Sequence, residues 1–299
     1  MSDSRLAPAY PSPEHAAAAA AVVDFFRDSG AAEAVLLTNS CARGRASRDS
    51  CLDMAVLLTP ATLAARGAAL EMRWQGYQAG APVFRELEAV GAFSALHLNM
   101  IDGLFSPAER DETGGPDGFE LEVGNFLAYS MPLWKRGELL AMLRRHWLPY
   151  YDDSLRRERL AMARRYCLDD LHHIPLYVDR GLHFQSFQRL WDALRGFLQA
   201  LFISRRTYPI AYDKWIREQL VEILGEPELY GRLVGLIELE RLESRELVGK
   251  AWQLEQLLER YAPAEEAAVD RVDASETPAR LAGSSLRADD PERDGDDEG

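Results

Sequence analysis

Two apolar segments, joined by a polar stretch with an Ala-Arg-Gly step, restrict the fold of this chain more than any other feature. Residues 34–59 read AVLLTNSCARGRASRDSCLDMAVLLT. Apolar runs of this length predict two buried β-strands, and the polar residues between them predict a turn. Because the second strand begins at Asp53, the sequence places a carboxylate at one end of a buried sheet.

Cys51 and Asp53 lie two residues apart at the start of the second predicted strand. Side chains at i and i+2 of a strand point to the same face, so the thiol and the carboxylate are expected to lie side by side. A carboxylate is a hard ligand that suits Mg²⁺, whereas a thiol is a soft ligand that suits zinc or copper(I). Asp53 is therefore a candidate magnesium ligand, and Cys51 is a poor one.

The same stretch resembles the signature of the nucleotidyltransferase superfamily, which has a polymerase-beta-like fold and includes the minimal and antibiotic nucleotidyltransferases. In active members a Gly-Ser pair follows the first strand, an Ala-Arg-Gly step comes next, and Ser-Asp-hydrophobic-Asp begins the second strand. The corresponding residues here are Asn39-Ser40, Ala42-Arg43-Gly44 and Ser50-Cys51-Leu52-Asp53. The resemblance implies transfer of a nucleoside monophosphate from a nucleoside triphosphate to a hydroxyl of a small-molecule or macromolecular acceptor.

The resemblance also implies roles for individual residues. Asn39, Ser40 and Arg43 are expected to bind the nucleotide phosphates, and Asp53 with a later carboxylate is expected to hold catalytic Mg²⁺. Two positions depart from the signature, because Asn39 replaces a glycine and Cys51 replaces a metal-binding aspartate. Asn tolerates the left-handed backbone that glycine provides, but a missing carboxylate weakens a reaction that depends on charge neutralisation. The alternative is a catalytically degenerate relative that binds a nucleotide or a protein partner without turnover.

A third acidic ligand is expected from a strand that lies beside Asp53. Residues 95–103 alternate loosely and end in a turn, and residues 119–123 alternate cleanly, so both segments predict strands. Glu120 and Glu122 fall on one face of the second predicted strand, and Glu122 or Glu120 is the preferred third ligand. The alternative is that both acids form the solvated face of an edge strand.

A second resemblance concerns residues 197–215, FLQALFISRRTYPIAYDKW. The segment is similar to the helical domain that follows minimal nucleotidyltransferase domains, where a helix ends in a basic-Tyr-Pro turn and the next helix begins near a Lys-Trp pair. Arg205 and Lys214 are accordingly candidates for phosphate binding, with a neighbouring aromatic ring to stack a base. The alternative is that Tyr208, Tyr212 and Trp215 pack the junction between helices while the cations are solvated or paired with acids.

The pattern along the whole chain predicts an α+β protein. An N-terminal nucleotidyltransferase-like mixed sheet with flanking helices is followed by a C-terminal all-α helical bundle, interrupted at prolines that include Pro175. The predicted regions are a disordered segment at residues 1–11, a nucleotidyltransferase-like domain at residues 12–135, a helical domain at residues 136–262 and an acidic disordered tail at residues 263–299. The tail is too polar to bury a core.

Charge and composition limit the partners of the chain. The formal net charge is −14 over 299 residues, but residues 263–299 hold 12 acids and only 4 arginines, so the remainder is mildly acidic. A general nucleic-acid binder normally has a basic face, which argues against that class. No apolar run is long enough to cross a membrane, and three cysteines without framework spacing favour a reducing cytoplasm.

Three further interpretations stay open. Cys167, His172, His173 and His183 invite a zinc site, although Cys-x4-His-His is not a standard ligand spacing. Cys51 is a weak candidate nucleophile because no histidine lies near it in sequence. An apolar excess on the last helices would indicate a homodimer.

Overall fold

The computed structural model describes residues 8–108 and 115–265. These residues form an α+β structure with one mixed four-stranded sheet in the order β3-β2-β1-β4. The predicted fold class is confirmed at this level. Most of the segment predicted as disordered at residues 1–11, and the acidic tail from residue 266 onward, lie outside the described residues.

The described elements alternate between strands and helices in the first half and are helical thereafter. The strands are β1 (Ala34–Leu37), β2 (Leu52–Leu57), β3 (Leu96–Ile101) and β4 (Met131–Lys135). The helices are α1 (Pro13–Asp28), α2 (Asn39–Ala42), α3 (Pro60–Gly80), α4 (Pro82–Glu88), α5 (Phe119–Val123), α6 (Leu139–Trp147), α7 (Asp153–Asp179), α8 (His183–Ser204), α9 (Pro227–Ile237) and α10 (Glu246–Tyr261), with π-helical turns at Gly124–Ala128 and Glu218–Ile223. That residues 136–262 form a separate domain stays a prediction.

The central strands β1 and β2, which their apolar sequences predict, pair in antiparallel orientation. Both are buried except at Asp53, because α1, α3 and α4 cover one face of the sheet while α5 and α6 cover the other. β4 pairs with β1 in antiparallel orientation, and β3 pairs with β2 in parallel orientation. The parallel pairing brings β3 alongside Asp53.

Capping side chains fix the start of the two helices that cover the first face. Ser12 caps α1, where its hydroxyl accepts from the N–H of His15. Thr59 caps α3 in the same way, and its hydroxyl accepts from the N–H of Thr62. A proline follows each cap, in the position where a missing N–H costs least. The sequence predicts helices beside the sheet, and α1 and α3 are two of them.

The predicted strand at residues 119–123 is wrong, because these residues form α5. Phe119, Val123 and Leu127 are buried on one side of α5 and the π-helical turn that follows it. Their spacing of four residues is helical, and it becomes visible only beyond the five residues whose alternation also fits a strand. Glu120 and Glu122 consequently do not share a strand face beside Asp53.

Two prolines lie within a strand and a helix that the sequence pattern does not predict to contain them. Pro132 is part of the edge strand β4, which is the place where a sheet tolerates a residue without an N–H. Pro175 lies inside α7 and does not end it. Leu171, Ile174 and Val178 pack into a core shared with α8, and this burial offsets the backbone hydrogen bond that the proline removes.

The longest helices, α7 and α8, pack against each other and against α10 around one apolar core. Asp152 caps α7 as predicted, and its carboxylate accepts from the N–H groups of Ser154 and Leu155. Across the described residues, no helix has both the length and the uninterrupted apolar sequence that crossing a membrane requires.

Candidate functional site

The two segments that carry the family resemblance meet in one open cleft of about 570 Å³. Its lining includes Asn39, Ser40, Arg43, Cys51 and Asp53 from the first segment and Lys214 and Trp215 from the second. The fold therefore brings most of the predicted phosphate ligands to the same cleft as the predicted metal ligand.

The turn after β1 holds Asn39 in the left-handed backbone conformation, with φ of 52°. Asn is one of the few residues besides glycine that adopts this conformation readily. The N–H of Thr38 donates to the carbonyl of Asp53 at 3.0 Å, and Cys41 Sγ donates to the carbonyl of Cys51 at 3.6 Å. These bonds hold the turn, and with it Ser40, against the start of β2.

Asp53 lies between a thiol and an imidazole. Its Oδ2 accepts from Cys51 Sγ at 3.2 Å, and its Oδ1 lies 3.2 Å from Nδ1 of His97. His97 comes from β3, where the parallel register pairs it with Asp53. The Asp53 side chain is 14% exposed and that of His97 is 63% exposed, so the group opens to solvent at the imidazole.

His97 is the functional candidate that the sequence does not identify. The pattern of residues 95–103 predicts the strand β3, but it does not specify which strand is its neighbour or which residue lies opposite Asp53. The parallel register supplies that information. The sequence signal that could have identified it is that His97 is the single histidine on the predicted strand before the turn at Gly103.

Burial, followed by the negative charge of Asp53, raises the pKa of Cys51 to about 11. The same two causes raise the pKa of the neighbouring Cys41 to about 12. A cysteine nucleophile reacts as its thiolate, whereas this thiol keeps its proton at neutral pH. The surroundings of Cys51 therefore do not favour nucleophilic catalysis.

Glu120 belongs to a buried ion-pair network and is not part of the cleft lining. Its side chain is 0% exposed, and its carboxylate accepts from Arg159 at 2.6 Å, from Tyr151 at 2.8 Å and from Gln199 at 3.2 Å. Asp117 accepts from the same guanidinium at 2.6 Å. These partners give Glu120 a structural role between α5, α7 and α8.

Glu122 is exposed, and its pKa is raised by partial desolvation and then by the charge of Asp117. Among the described residues, the potential metal ligands grouped with Asp53 are Cys51 and His97. Their ligand atoms all lie within 4.8 Å of one another. Neither Glu120 nor Glu122 belongs to this group, so the carboxylate sought beside Asp53 is replaced there by an imidazole.

The guanidinium of Arg43 is enclosed, with only 7% of the side chain exposed. Its Nε donates to Glu218 Oε1 at 3.0 Å, and its central carbon lies 5.3 Å from the ring centroid of Trp215. Within the described part of the chain, Nη1 and Nη2 have no hydrogen-bond partner. Arg43 therefore ties the motif turn to the π-helical turn at Glu218 and fixes the position of Trp215.

A second ion pair runs beside the first on the protein surface. Arg45 pairs with Glu222, and both side chains are more than two-fifths exposed. The motif turn is thus joined to the same π-helical turn by an enclosed pair and an exposed pair.

The cations predicted to bind phosphate separate into two groups. Lys214 lines the cleft, whereas Arg205 is outside the lining and pairs with Glu226 at 2.8 Å. Arg206 pairs with Asp153 at 2.6 Å. These two arginines therefore pair with nearby acids, which is the alternative interpretation given above.

The aromatic residues near Lys214 separate in the same way. Tyr208 and Tyr212 are buried in the core, so they pack the junction between helices. Trp215 is 37% exposed and lines the cleft beside Lys214. Only Trp215 of the three is available to stack on a bound base.

The Cys and His residues of the helical region do not form a ligand group within the described residues. Cys167 is buried, and its thiol donates to the carbonyl of Ala193. His172 lies near Glu255 and His173 near Asp169, on exposed surface. Among described residues, ligands converge at Asp53 and not here.

No protein-family model matches the chain, and no curated protein matches it significantly. The family resemblance therefore stays a prediction from the sequence motifs.

Proposed function

We propose that this chain is a nucleotidyltransferase-like protein that binds a nucleoside triphosphate in the cleft without requiring magnesium. The observation that supports the proposal is the convergence of two segments that are distant in sequence. The turn with Ser40 and the pair Lys214-Trp215 each resemble part of one family, and both line the same cleft. A coincidental resemblance of either segment alone would give no reason for them to meet.

The side chains in the cleft suit a nucleotide. Lys214 supplies a cation and Ser40 supplies a hydroxyl, and both groups bind phosphate oxygens. Trp215 presents part of its ring, on which a base can stack. Because Arg43 is enclosed against Trp215 and Glu218, we assign it a positioning role.

The sheet supports a nucleotidyltransferase-like arrangement as well. The resemblance implies that a later strand lies beside the Asp53 strand and carries the last metal ligand. β3 is in that place, and its residue opposite Asp53 is His97. This pairing supports the proposal, with an imidazole in the place where the resemblance implies a carboxylate.

Transfer of a nucleoside monophosphate to a hydroxyl acceptor is the second candidate function. The retained Asp53, which lines the cleft, favours it. Magnesium, however, prefers oxygen ligands, and the side chains beside Asp53 offer sulfur and nitrogen. We therefore expect nucleotide binding in the absence of magnesium, and no turnover that depends on it.

The test is calorimetric titration of ATP, GTP, CTP and UTP into the chain, first with a chelator and then with Mg²⁺. We expect at least one nucleotide to bind in the chelator. The variant Lys214→Ala should weaken that binding about tenfold, because it removes a charge-assisted contact. Arg205→Ala, which changes a cation outside the cleft, should leave the affinity within about twofold.

Lys135→Ala is the matched control, because Lys135 pairs with Ala34 at the end of β1 that lies away from Asn39. If none of the four nucleotides binds with a Kd of about 1 mM or tighter, the proposal is overturned. Binding that Lys135→Ala weakens as much as Lys214→Ala would show that the cleft is not the binding site.

A further inference from the structure

Three different metal-binding side chains meet at the edge of the sheet, and their donor atoms are sulfur, oxygen and nitrogen. Cys51 precedes β2 by one residue, Asp53 is the second residue of β2, and His97 is the second residue of β3. Cys51 and Asp53 share a face because they are two residues apart. His97 shares that face because it is the register partner of Asp53. Two adjacent strands therefore supply all three side chains.

The distances in this group fit a small divalent ion. Zinc binds thiolate, imidazole and carboxylate atoms at about 2.0–2.3 Å, so its ligand atoms lie about 3.3–3.7 Å from one another in tetrahedral geometry. Here Cys51 Sγ lies 3.2 Å from Asp53 Oδ2, and His97 Nδ1 lies 3.2 Å from Asp53 Oδ1. One ligand atom from each of the three side chains lies within 4.8 Å of the other two.

The donor set selects among metals. Magnesium requires near-octahedral oxygen coordination, and this group offers one carboxylate. Thiolate and imidazole together with a carboxylate are the ligands that zinc and its spectroscopic substitute Co²⁺ accept. A thiolate, a carboxylate and a neutral imidazole carry two negative charges, which balance the charge of the ion.

We propose that Cys51, Asp53 and His97 form a three-ligand site for zinc or a similar borderline divalent ion, in preference to magnesium. When the ion binds, the Cys51 thiol releases its proton to solvent and sulfur coordinates as the thiolate. Three protein ligands leave one coordination position for water or for a ligand in the cleft, as in zinc sites that carry out chemistry. The proposal does not depend on the proposed nucleotide binding.

The test is a Co²⁺ titration of the metal-free protein without nucleotide, followed by absorption spectroscopy. We expect one equivalent to bind with a thiolate-to-cobalt charge-transfer band in the near ultraviolet. Zinc should displace the cobalt, and excess Mg²⁺ should not. Competition with a chromophoric chelator then gives the zinc affinity.

Two variants remove one ligand each. His97→Gln changes an exposed side chain and should keep the fold. It should weaken zinc binding by at least about 100-fold, because even residues that only orient a ligand contribute about 10–100-fold to metal affinity. Cys51→Ser should abolish the charge-transfer band. Cys167→Ser and His172→Gln are the controls, because they change the other cysteine and histidine group and should leave band and affinity unchanged.

Three results would each overturn the proposal. They are a cobalt complex without a thiolate band, a band that persists in Cys51→Ser but disappears in Cys167→Ser, and a zinc affinity that His97→Gln leaves unchanged. Zinc binding without any nucleotide affinity would support this site while contradicting the proposed function. Nucleotide binding in the presence of a chelator, without zinc affinity, would support the proposed function while contradicting this metal site.

Discussion

Asp53 and Glu120 are both candidates that the sequence offers for one metal site, yet the surroundings of the two carboxylates differ completely. Asp53 lines an open cleft beside a thiol and an imidazole. Glu120 is fully buried and bound by the guanidinium of Arg159. A buried carboxylate needs compensation of this kind, because removing its charge from water is costly. The neighbours of an acid thus decide whether it supports the fold or remains available to a ligand.

The largest effect is expected when the compensation of Glu120 is removed. Arg159→Met leaves Glu120 and Asp117 buried without their cation, so we expect the free energy of unfolding to fall by about 3–5 kcal/mol. Urea denaturation measures the change. Arg27→Met is the control at an exposed pair and should leave the free energy of unfolding nearly unchanged, because solvent screens such a pair. Equal losses in the two variants would contradict the contrast between the buried and open carboxylates.

The group of Cys51, Asp53 and His97 can be changed by adding carboxylates to it, whereas the Glu120 test removes a cation. The double variant Cys51→Asp/His97→Asp presents three hard ligands, so we expect Mg²⁺ affinity to rise about tenfold, or 1.4 kcal/mol, and zinc affinity to fall. Titration calorimetry with each ion measures both changes. If the double variant retains the metal preference of the unaltered chain, then these three positions do not form the metal site.

The smallest effect is expected at Glu122, which lies two residues from Glu120 without sharing its arginine. Burial and the charge of Asp117 raise the pKa of Glu122 above its ordinary value of 4.5. The folded chain therefore keeps this proton to a higher pH than the unfolded chain does. The associated stabilisation is present below pH 4.5 and is lost as the pH rises through the folded pKa.

Because Glu122 is exposed and solvent screens its charge, Glu122→Gln should raise stability at pH 7 by less than about 0.5 kcal/mol. It should also flatten the loss of stability with rising pH above 4.5. Urea denaturation at several pH values between 4 and 7 measures both effects. Glu71→Gln, at an exposed position of α3, should leave the pH profile unchanged. A Glu122→Gln profile parallel to that of the unaltered chain would contradict the assignment.

The parts of the fold that were predictable are those whose signals are local. β1 and β2 are continuous apolar runs, and α1 and α3 begin with a capping side chain and a proline. The same-face placement of Cys51 and Asp53 follows from strand geometry alone. Pro175 was misleading because the packing of α7 on α8, a tertiary effect, outweighs a local preference.

The partner of Asp53 was not predictable for the same reason. Residues 119–123 fit either period over five positions, and only the buried Leu127 beyond them reveals the helix. His97 reaches Asp53 through a parallel pairing of two strands that are separated by α3 and α4. A register of this kind depends on how the helices between the strands pack, and the strand sequences do not contain it. Lys214 was expected near the phosphate site from the cations and aromatic residues that surround it in sequence, as well as from the family resemblance.

Two arginine ion pairs, Arg43–Glu218 and Arg45–Glu222, join the motif turn to the π-helical turn, and they differ in exposure. Salt screens the exposed Arg45–Glu222 ion pair, whereas it screens the enclosed Arg43–Glu218 ion pair far less. Raising the ionic strength should therefore weaken the exposed pair while Arg43 keeps its contact with Trp215.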